Sequence, residues 1–131
     1  DLTTDPPLGH ITTFGGHPVC CAAGLASMNV IIDEKLHLLV PEKSKYFKRF
    51  LTHHAISAIR GDGLLLAIKL NDKKYLNYII QHAPDHGLIL DYFLFCNDAF
   101  RIAPPLTINY NEIETACSKL NNLIDEAVKN C

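Results

Sequence analysis

The sequence predicts a small α/β domain of the α+β type, with two layers in which helices cover a mainly antiparallel sheet, preceded by an N-terminal loop and a connecting helix. Apolar residues recur at helical spacing near both ends of the chain. Between them lie short apolar runs separated by glycine-containing turns, which are typical of strands. With 131 residues, 48% of them hydrophobic, the chain is long enough to bury one core.

Composition excludes several classes of function. The net charge of −2 and the mixed signs argue against the clustered basic face of a nucleic-acid-binding protein. The longest apolar runs, such as residues 64–68, fall far short of the roughly 20 residues of a membrane span. We therefore expect a soluble protein that neither binds nucleic acid nor spans a membrane. Five cysteines without disulfide-framework spacing favour a reducing compartment, the cytoplasm.

The N-terminal part combines a glycine turn with a helix. Residues 1–9 have no periodic pattern and predict an extended lead-in. Thr13, Gly15 and Gly16 then precede Pro18, which suits a first helical turn. Such a turn either holds an anion at the helix N-terminus or simply enters a packed helix tightly. The helix follows, with apolar residues at helical spacing at Cys21, Leu25, Met28 and Ile32.

A second helical stretch begins at Asp33-Glu34, and we expect Pro41 to interrupt or kink it at Val40. An amphipathic helix then ends near Leu51. Its basic residues should form a solvated face: Lys43, Lys45, Lys48 and Arg49. We also expect the paired His53-His54 to interact favourably with the partial negative charge at the C-terminal end of that helix.

The middle of the chain predicts strands. Residues 56–60 and 64–70 flank Gly61-Asp62-Gly63, a hairpin signature. A helix should run from Asp72 to about His86, ending early at Pro84. The remaining expectations are a strand over 88–91, an aromatic loop over 92–99 and a short strand over 100–103.

The last helix has the clearest local signals. Asn109 and Glu112 are spaced as in a capping box. The apolar stripe that follows predicts a helix lying over the sheet: Ile113, Ala116, Cys117, Leu120, Leu123, Ile124 and Ala127.

Arg101 stands between apolar residues on a short predicted strand, directly before Pro104-Pro105. Burying a guanidinium is costly unless it meets a carboxylate, which it can bind through two parallel hydrogen bonds. Something anionic should therefore face Arg101. From the residues alone, that group is either a structural partner within the domain or the carboxylate of a ligand.

Metal binding is not expected. His17, Cys20 and Cys21 are soft ligands, but adjacent cysteines rarely bind one ion with good geometry. The two cysteines are better explained as small apolar residues of a packed helix. His53-His54 have no carboxylate or cysteine at ligand spacing.

Four segments resemble, in order, those of class III (ornithine/acetylornithine-type) aminotransferases, which are fold type I enzymes. Residues 10–18 resemble His-x-x-Thr-Phe-Gly-Gly-Asn-Pro, and residues 59–65 resemble Val-Arg-Gly-x-Gly-Leu. Residues 86–89 resemble the Gly-Leu-Leu strand, and residues 101–108 resemble Arg-x-x-Pro-Pro-Leu. His17 replaces the commoner Asn, so we expect a different helix cap there.

The resemblance implies a function. Residues 1–33 would be the end of the large domain, with the phosphate turn and connecting helix, and residues 34–131 the C-terminal small domain. Thr13, Gly15 and Gly16 would hold the phosphate of pyridoxal 5'-phosphate in the neighbouring subunit of a homodimer. Arg101 would bind the carboxylate of the amino acid or 2-oxo acid. The substrates would be ornithine, acetylornithine or a related ω-amino compound, with 2-oxoglutarate as acceptor.

The family's Schiff-base lysine precedes the first of these segments, so it would lie upstream of Asp1. The nine lysines of the chain are all expected on polar helix faces or at strand ends. We therefore expect a fragment that contains no catalytic residue and does not transaminate alone. The alternative is a stand-alone small α/β binding module, since such domains host many unrelated functions.

Overall fold

The computed structural model describes residues 5–7 and 12–131. It divides into two compact units, Asp1–Lys35 and Leu36–Cys131. Most of the predicted lead-in lies outside the described residues, and residues 5–7 form a turn. The assignment of residues 1–33 and 34–131 to a large and a small domain depends on the resemblance and stays a prediction.

The first unit contains helix α1, Pro18–Asp33, which begins where the sequence predicts. Its apolar residues surround the helix instead of forming one stripe, and none is buried. The expectation that Cys20 and Cys21 are packed core residues is wrong for this chain, because both are exposed. The helix ends in a turn in which Lys35 has a φ of 52°.

The second unit is a four-stranded sheet with three helices. Its elements are α2 (Leu36–Phe50), β1 (Ile56–Asp62), β2 (Leu65–Leu70), α3 (Lys74–His82), a 3-10 turn (Ala83–His86), β3 (Asp91–Phe93), β4 (Cys96–Ile102) and α4 (Tyr110–Asn130). The strand order is β1-β2-β4-β3, and each neighbouring pair is antiparallel. The predicted fold class is confirmed.

The core lies between one face of the sheet and the helices. Alternate residues of β2, Leu66, Ile68 and Leu70, point into it, since side chains alternate across a strand. Phe100 and Ile102 of β4 point the same way. The helices contribute Phe47, Leu76, Ile79, Ile113, Cys117, Leu120, Leu123, Ile124 and Ala127.

Helix α2 differs from its prediction in two ways. It runs continuously through Pro41, which lies in its second turn, so the interruption expected there is absent. Lys43 does not lie on a solvated face but is 5% exposed. Lys43 precedes Phe47 by four residues, so both lie on the same buried stripe of the helix.

The β1–β2 hairpin is confirmed. Gly61 has a φ of +112°, and a Cβ there would lie 2.2 Å from the carbonyl oxygen of Leu65, so only glycine fits. The predicted helix after the hairpin is also confirmed: α3 ends at His82, and Pro84 lies in the 3-10 turn that follows.

The region after α3 was predicted incorrectly in its details. The strand expected over 88–91 begins only at Asp91, and the expected loop over 92–99 is a hairpin with its turn at Leu94-Phe95. Strand β4 therefore begins at Cys96 instead of Phe100. The aromatic residues of this segment favour strand structure, and cross-strand pairing with Phe100 uses that preference.

Helix α4 begins with the predicted capping box. Glu112 N donates to Asn109 Oδ1 at 2.9 Å, and Asn109 N donates to Glu112 Oε2 at 2.8 Å. The predicted stripe packs on the core. Within residues 5–7 and 12–131, every helix is too short or too polar to cross a membrane.

Candidate functional site

Four residues form a row across the face of the sheet opposite to α2, α3 and α4, here called the outer face. Arg60 of β1 lies opposite Ala67 of β2, Ala67 lies opposite Arg101 of β4, and Arg101 lies opposite Asp91 of β3. Residues that face each other across antiparallel strands point to the same side. The sheet register thus places two arginines and one carboxylate side by side.

Arg101 is paired with Asp91. Its Nη2 donates to Asp91 Oδ2, and the other carboxylate oxygen, Oδ1, accepts a hydrogen bond from Tyr92 N at 2.8 Å. The side chains of Arg101 and Asp91 are 39% and 54% exposed. The expectation of an anionic group facing Arg101 is confirmed. A guanidinium has five donors, so this contact leaves others for a ligand.

Sequence reasoning missed Asp91. It placed this residue at the end of a strand and the following residues in a loop, so no cross-strand partner could be assigned to it. The hairpin register decides the pairing, and a shift of one residue would turn Asp91 to the opposite face.

Arg60, Ala67, Asp91 and Arg101 line one cavity of about 700 Å³. This is within the usual size of small-molecule sites. Its remaining lining comes from the β3–β4 hairpin: Tyr92, Phe93, Leu94, Phe95 and Cys96. The cavity therefore combines guanidinium groups on one side with apolar side chains on the other.

A second charged group lies beside this row. Asp98 accepts a hydrogen bond from the Cys96 thiol at 3.1 Å and forms an ion pair with Lys69, also at 3.1 Å. Both contacts, the thiol's first, lower the pKa of Asp98 below its usual value and keep it ionised.

Lys43 fixes the segment that follows β4. Its ammonium donates a hydrogen bond to the carbonyl oxygen of Leu106 at 2.6 Å. Leu106 follows Pro104-Pro105, so this bond ties helix α2 to the chain just beyond Arg101. Helical periodicity with Phe47 was the signal that could have identified Lys43 as an inward-facing residue.

The predicted phosphate turn is a turn in the structure. Residues 13–16 form it, and His17 N donates to the carbonyl oxygen of Phe14 at 3.1 Å. Gly16 has a φ of +75° with nothing within 4 Å of an added Cβ. A Cβ on Gly15 would lie 2.3 Å from Cγ2 of Thr12. Thr13 is exposed and belongs to the first unit, whereas Arg101 belongs to the second.

Helix α1 begins directly after this turn, and its first turn has no side-chain cap. His17 occupies the N-cap position but makes no capping hydrogen bond, as expected from the replacement of Asn. The first N–H groups of a helix have no partner within the helix. They are thus the donors that a helix N-terminus offers to an anion.

In the described part of the chain, no three His, Cys, Asp or Glu side chains are grouped as metal ligands. Both nitrogens of His53 are engaged: Nδ1 accepts from Ala55 N at 3.0 Å, so Nε2 donates to Asp125 at 3.1 Å. The ring contacts α4 through Asp125 and stacks on His54 at 4.3 Å.

Comparison with known families decides the assignment. The family model "Aminotransferase class-III" matches residues 2–124, nearly the whole chain. The chain belongs to the class III aminotransferases. Enzymes of this class depend on pyridoxal 5'-phosphate.

Relatives and solved structures agree with this family. The acetylornithine aminotransferase of Caldanaerobacter subterraneus subsp. tengcongensis is 31% identical over 131 residues, covering 96% of this chain and 33% of that protein. The acetylornithine aminotransferase structure from Elizabethkingia anophelis has a TM-score of 0.75 at 28% identity, covering 89% of this chain and 32% of that one.

The ornithine aminotransferase of Toxoplasma gondii, whose active site has PLP at partial occupancy, has a TM-score of 0.74 at 27% identity. The similarity covers 94% of this chain and 30% of that one. The chain thus spans about a third of the length of these aminotransferases.

The residues of the turn fit the phosphate of the aminotransferase cofactor. Gly16 leaves open space beside the backbone, and the tight packing of Gly15 on Thr12 leaves no room for a side chain. Thr13 adds an exposed hydroxyl next to the uncapped N-terminus of α1. Hydroxyl and N–H donors at a helix N-terminus are the groups that bind phosphate elsewhere.

Proposed function

We propose that the chain is the C-terminal part of a pyridoxal-phosphate-dependent aminotransferase. It would transfer an amino group from an ornithine- or acetylornithine-like or other ω-amino substrate to 2-oxoglutarate. Family membership supports the reaction, and the similarity to acetylornithine and ornithine aminotransferases supports the substrate class. The observation that carries the proposal is Arg101, which lines a cavity of suitable size and has guanidinium donors to spare.

Arg101 binds the carboxylate of the amino acid or oxo acid in this proposal. Its planar fork matches a carboxylate through two parallel hydrogen bonds. Asp91 occupies part of the fork, and the side chains of the β3–β4 hairpin line the same cavity.

Thr13, Gly15 and Gly16 hold the cofactor phosphate. The cofactor supplies the electron sink of the reaction when it is bound. Lys43 is the one lysine buried in the described part of the chain, but its ammonium donates to the carbonyl of Leu106 and lies in the second unit, Leu36–Cys131. The lysine that carries the cofactor is therefore proposed to lie upstream, so the 131-residue chain is inactive alone.

A homodimer and a cytoplasmic location complete the proposal. A helix that is apolar on all sides is typically buried in a larger assembly, and α1 has this pattern. Its exposed Leu25 and Met28 favour self-association. All five cysteines are free, which is compatible with a reducing compartment.

Steady-state kinetics on the longer enzyme test the substrate role. Arg101→Lys keeps the charge but loses the fork, so KM for both carboxylate substrates should rise about tenfold while cofactor affinity is retained. Lys48→Arg, an exposed substitution on α2, serves as the control. Unaltered KM values for both substrates would leave Arg101 with only its structural partner, Asp91.

Cofactor retention tests the phosphate turn. Thr13→Ala should weaken PLP binding, measured from cofactor absorbance after dialysis, while thermal unfolding of the apo-enzyme changes little. Thr107→Ala, an exposed threonine in the other unit, is the matched control. Equal PLP affinity in wild type and Thr13→Ala would refute the assignment. Transaminase activity in the isolated 131-residue chain would refute the upstream lysine.

A further inference from the structure

We propose that the carboxylate subsite on the outer face has two arginines, with Arg60 as a second ligand beside Arg101. The ligand is a carboxylate group of an oxo acid or amino acid, held above Ala67. This inference rests on the proposed function, which it deepens by adding a binding residue. It also depends on the row that Arg60, Ala67, Arg101 and Asp91 form across the sheet.

The register gives the geometry of the subsite. Arg60 and Arg101 each lie directly opposite Ala67, one on either side. Neighbouring strands are about 4.8 Å apart, so the two arginine Cα atoms are separated by roughly 10 Å. Two arginine side chains that rise from the same face can converge over that distance. A carboxylate between them would receive hydrogen bonds from both.

Ala67 provides the space. It lies between two of the longest side chains, and its methyl group leaves the region above β2 open. Arg60, Ala67 and Arg101 all line the same cavity, as expected if they lie side by side on the outer face. A larger residue at position 67 would fill the place assigned to the carboxylate.

The outer face carries equal numbers of positive and negative groups, and most of them are paired. Arg60, Lys69 and Arg101 contribute three positive groups to this face, and Asp62, Asp91 and Asp98 contribute three negative ones. Asp91 pairs with Arg101 and Asp98 with Lys69. Among the described residues, Arg60 forms no ion pair, and its charge acts on Asp98 from beyond ion-pair distance, where it helps to lower the pKa of that carboxyl. Its guanidinium donors are therefore left for a ligand.

Asp91 decides which donors of Arg101 remain for the ligand. It lies on the far side of Arg101 from Ala67, and the hydrogen bond from Tyr92 N holds its carboxylate in place. The contact with Asp91 occupies Nη2 of Arg101. The other guanidinium nitrogens of Arg101 are left for the ligand in this proposal.

Binding of 2-oxoglutarate to the longer enzyme, measured by titration calorimetry, tests the subsite directly. Arg60→Gln should raise the dissociation constant about tenfold, because a charge-assisted contact is lost. Arg60→Lys should recover part of the affinity, since it restores the charge without the fork. Arg49→Gln, an exposed arginine on α2, should leave the dissociation constant unchanged.

A second variant separates the subsite from general electrostatics. Ala67→Leu retains both arginines and suits a strand, yet it fills the space between them, so it should weaken binding at least as much as Arg60→Gln. An unchanged dissociation constant in either Arg60→Gln or Ala67→Leu overturns the two-arginine subsite.

The same titrations distinguish this inference from the proposed function. If the enzyme transaminates but Arg60→Gln binds 2-oxoglutarate normally, the subsite is wrong and the proposed function stands. If it binds 2-oxoglutarate through Arg60 but does not transaminate, the subsite stands and the proposed function is wrong. Absence of 2-oxoglutarate binding counts against both.

Discussion

Helices α1 and α4 are both rich in apolar residues, but they use them differently. Helix α4 has six buried residues on one stripe, whereas α1 has none. In α4 the polar residues occupy the opposite face, so the helix is complete once it lies on the sheet. In α1 apolar residues occur on all sides, so one layer of structure could never cover them. The comparison shows that α4 buries its apolar residues within its own unit, whereas the apolar residues of α1 stay exposed.

Removing a large side chain from each helix should give the largest contrast. Leu123 in α4 is 0% exposed, and Leu25 in α1 is 64% exposed. Leu123→Ala should lower the free energy of unfolding by about 2–5 kcal/mol, through lost transfer energy and a cavity. Leu25→Ala should change it by less than about 0.5 kcal/mol. Urea unfolding followed by circular dichroism measures both changes. Equal losses would show that the apolar side chains of the two helices contribute equally to stability.

Cysteine labelling compares the helices without mutation. Burial raises the pKa of Cys117 in α4 to about 11 from its ordinary value of 9.0. This shift alone lowers its thiolate fraction about 100-fold relative to a free cysteine near neutral pH. Iodoacetamide should therefore modify Cys20 and Cys21 at least that much faster, as followed by peptide mass spectrometry. Cys131, exposed just after α4, should label like the α1 pair.

Capping substitutions at the N-termini of α4 and α1 should give a smaller difference in unfolding free energy. Asn109→Ala removes a capping hydrogen bond from α4 and should cost about 1 kcal/mol of unfolding free energy. His17→Ala should have almost no effect, because the His17 side chain makes no capping bond in α1. Thermal unfolding measures both. Glu112→Gln, which can preserve the capping box, is the control for Asn109→Ala.

The smallest expected effect depends on pH. A hydrogen bond from His53 lowers the pKa of Asp125 in α4, and the positive charges nearby act in the same direction. The ionised form is favoured in the folded state, so its stabilisation is present above the unfolded pKa of about 3.9 and is lost as pH falls through the lower folded value.

Asp125→Asn should therefore be slightly less stable than wild type at pH 6 and equally stable at about pH 2. Denaturant unfolding at the two pH values measures the difference. Asp33→Asn, an exposed carboxylate at the end of α1, should not reproduce the pH-dependent difference. A stability gap for Asp125→Asn that persists unchanged at acid pH would show that the effect is not due to ionisation.

Local sequence signals determined much of the fold. Pro18, the Gly61-Asp62-Gly63 turn and the Asn109–Glu112 capping box predicted the start of α1, the first hairpin and the start of α4. Each signal involves residues a few positions apart, so it acts whatever surrounds it. The requirement for an anion opposite Arg101 also followed from the sequence, because an arginine among apolar strand residues needs a partner. Its role toward a substrate stays a prediction.

Which side chains lie next to each other depends on the tertiary structure. The sequence could not identify Asp91 as the partner of Arg101, nor place Arg60 in the same row, because both depend on the register of strands that are distant in sequence. It also placed Lys43 in solvent, although the helix face that carries Lys43 lies against the segment after β4. Local pattern specifies where a helix or strand forms, whereas packing between elements selects which of its faces is buried and which residues it brings together.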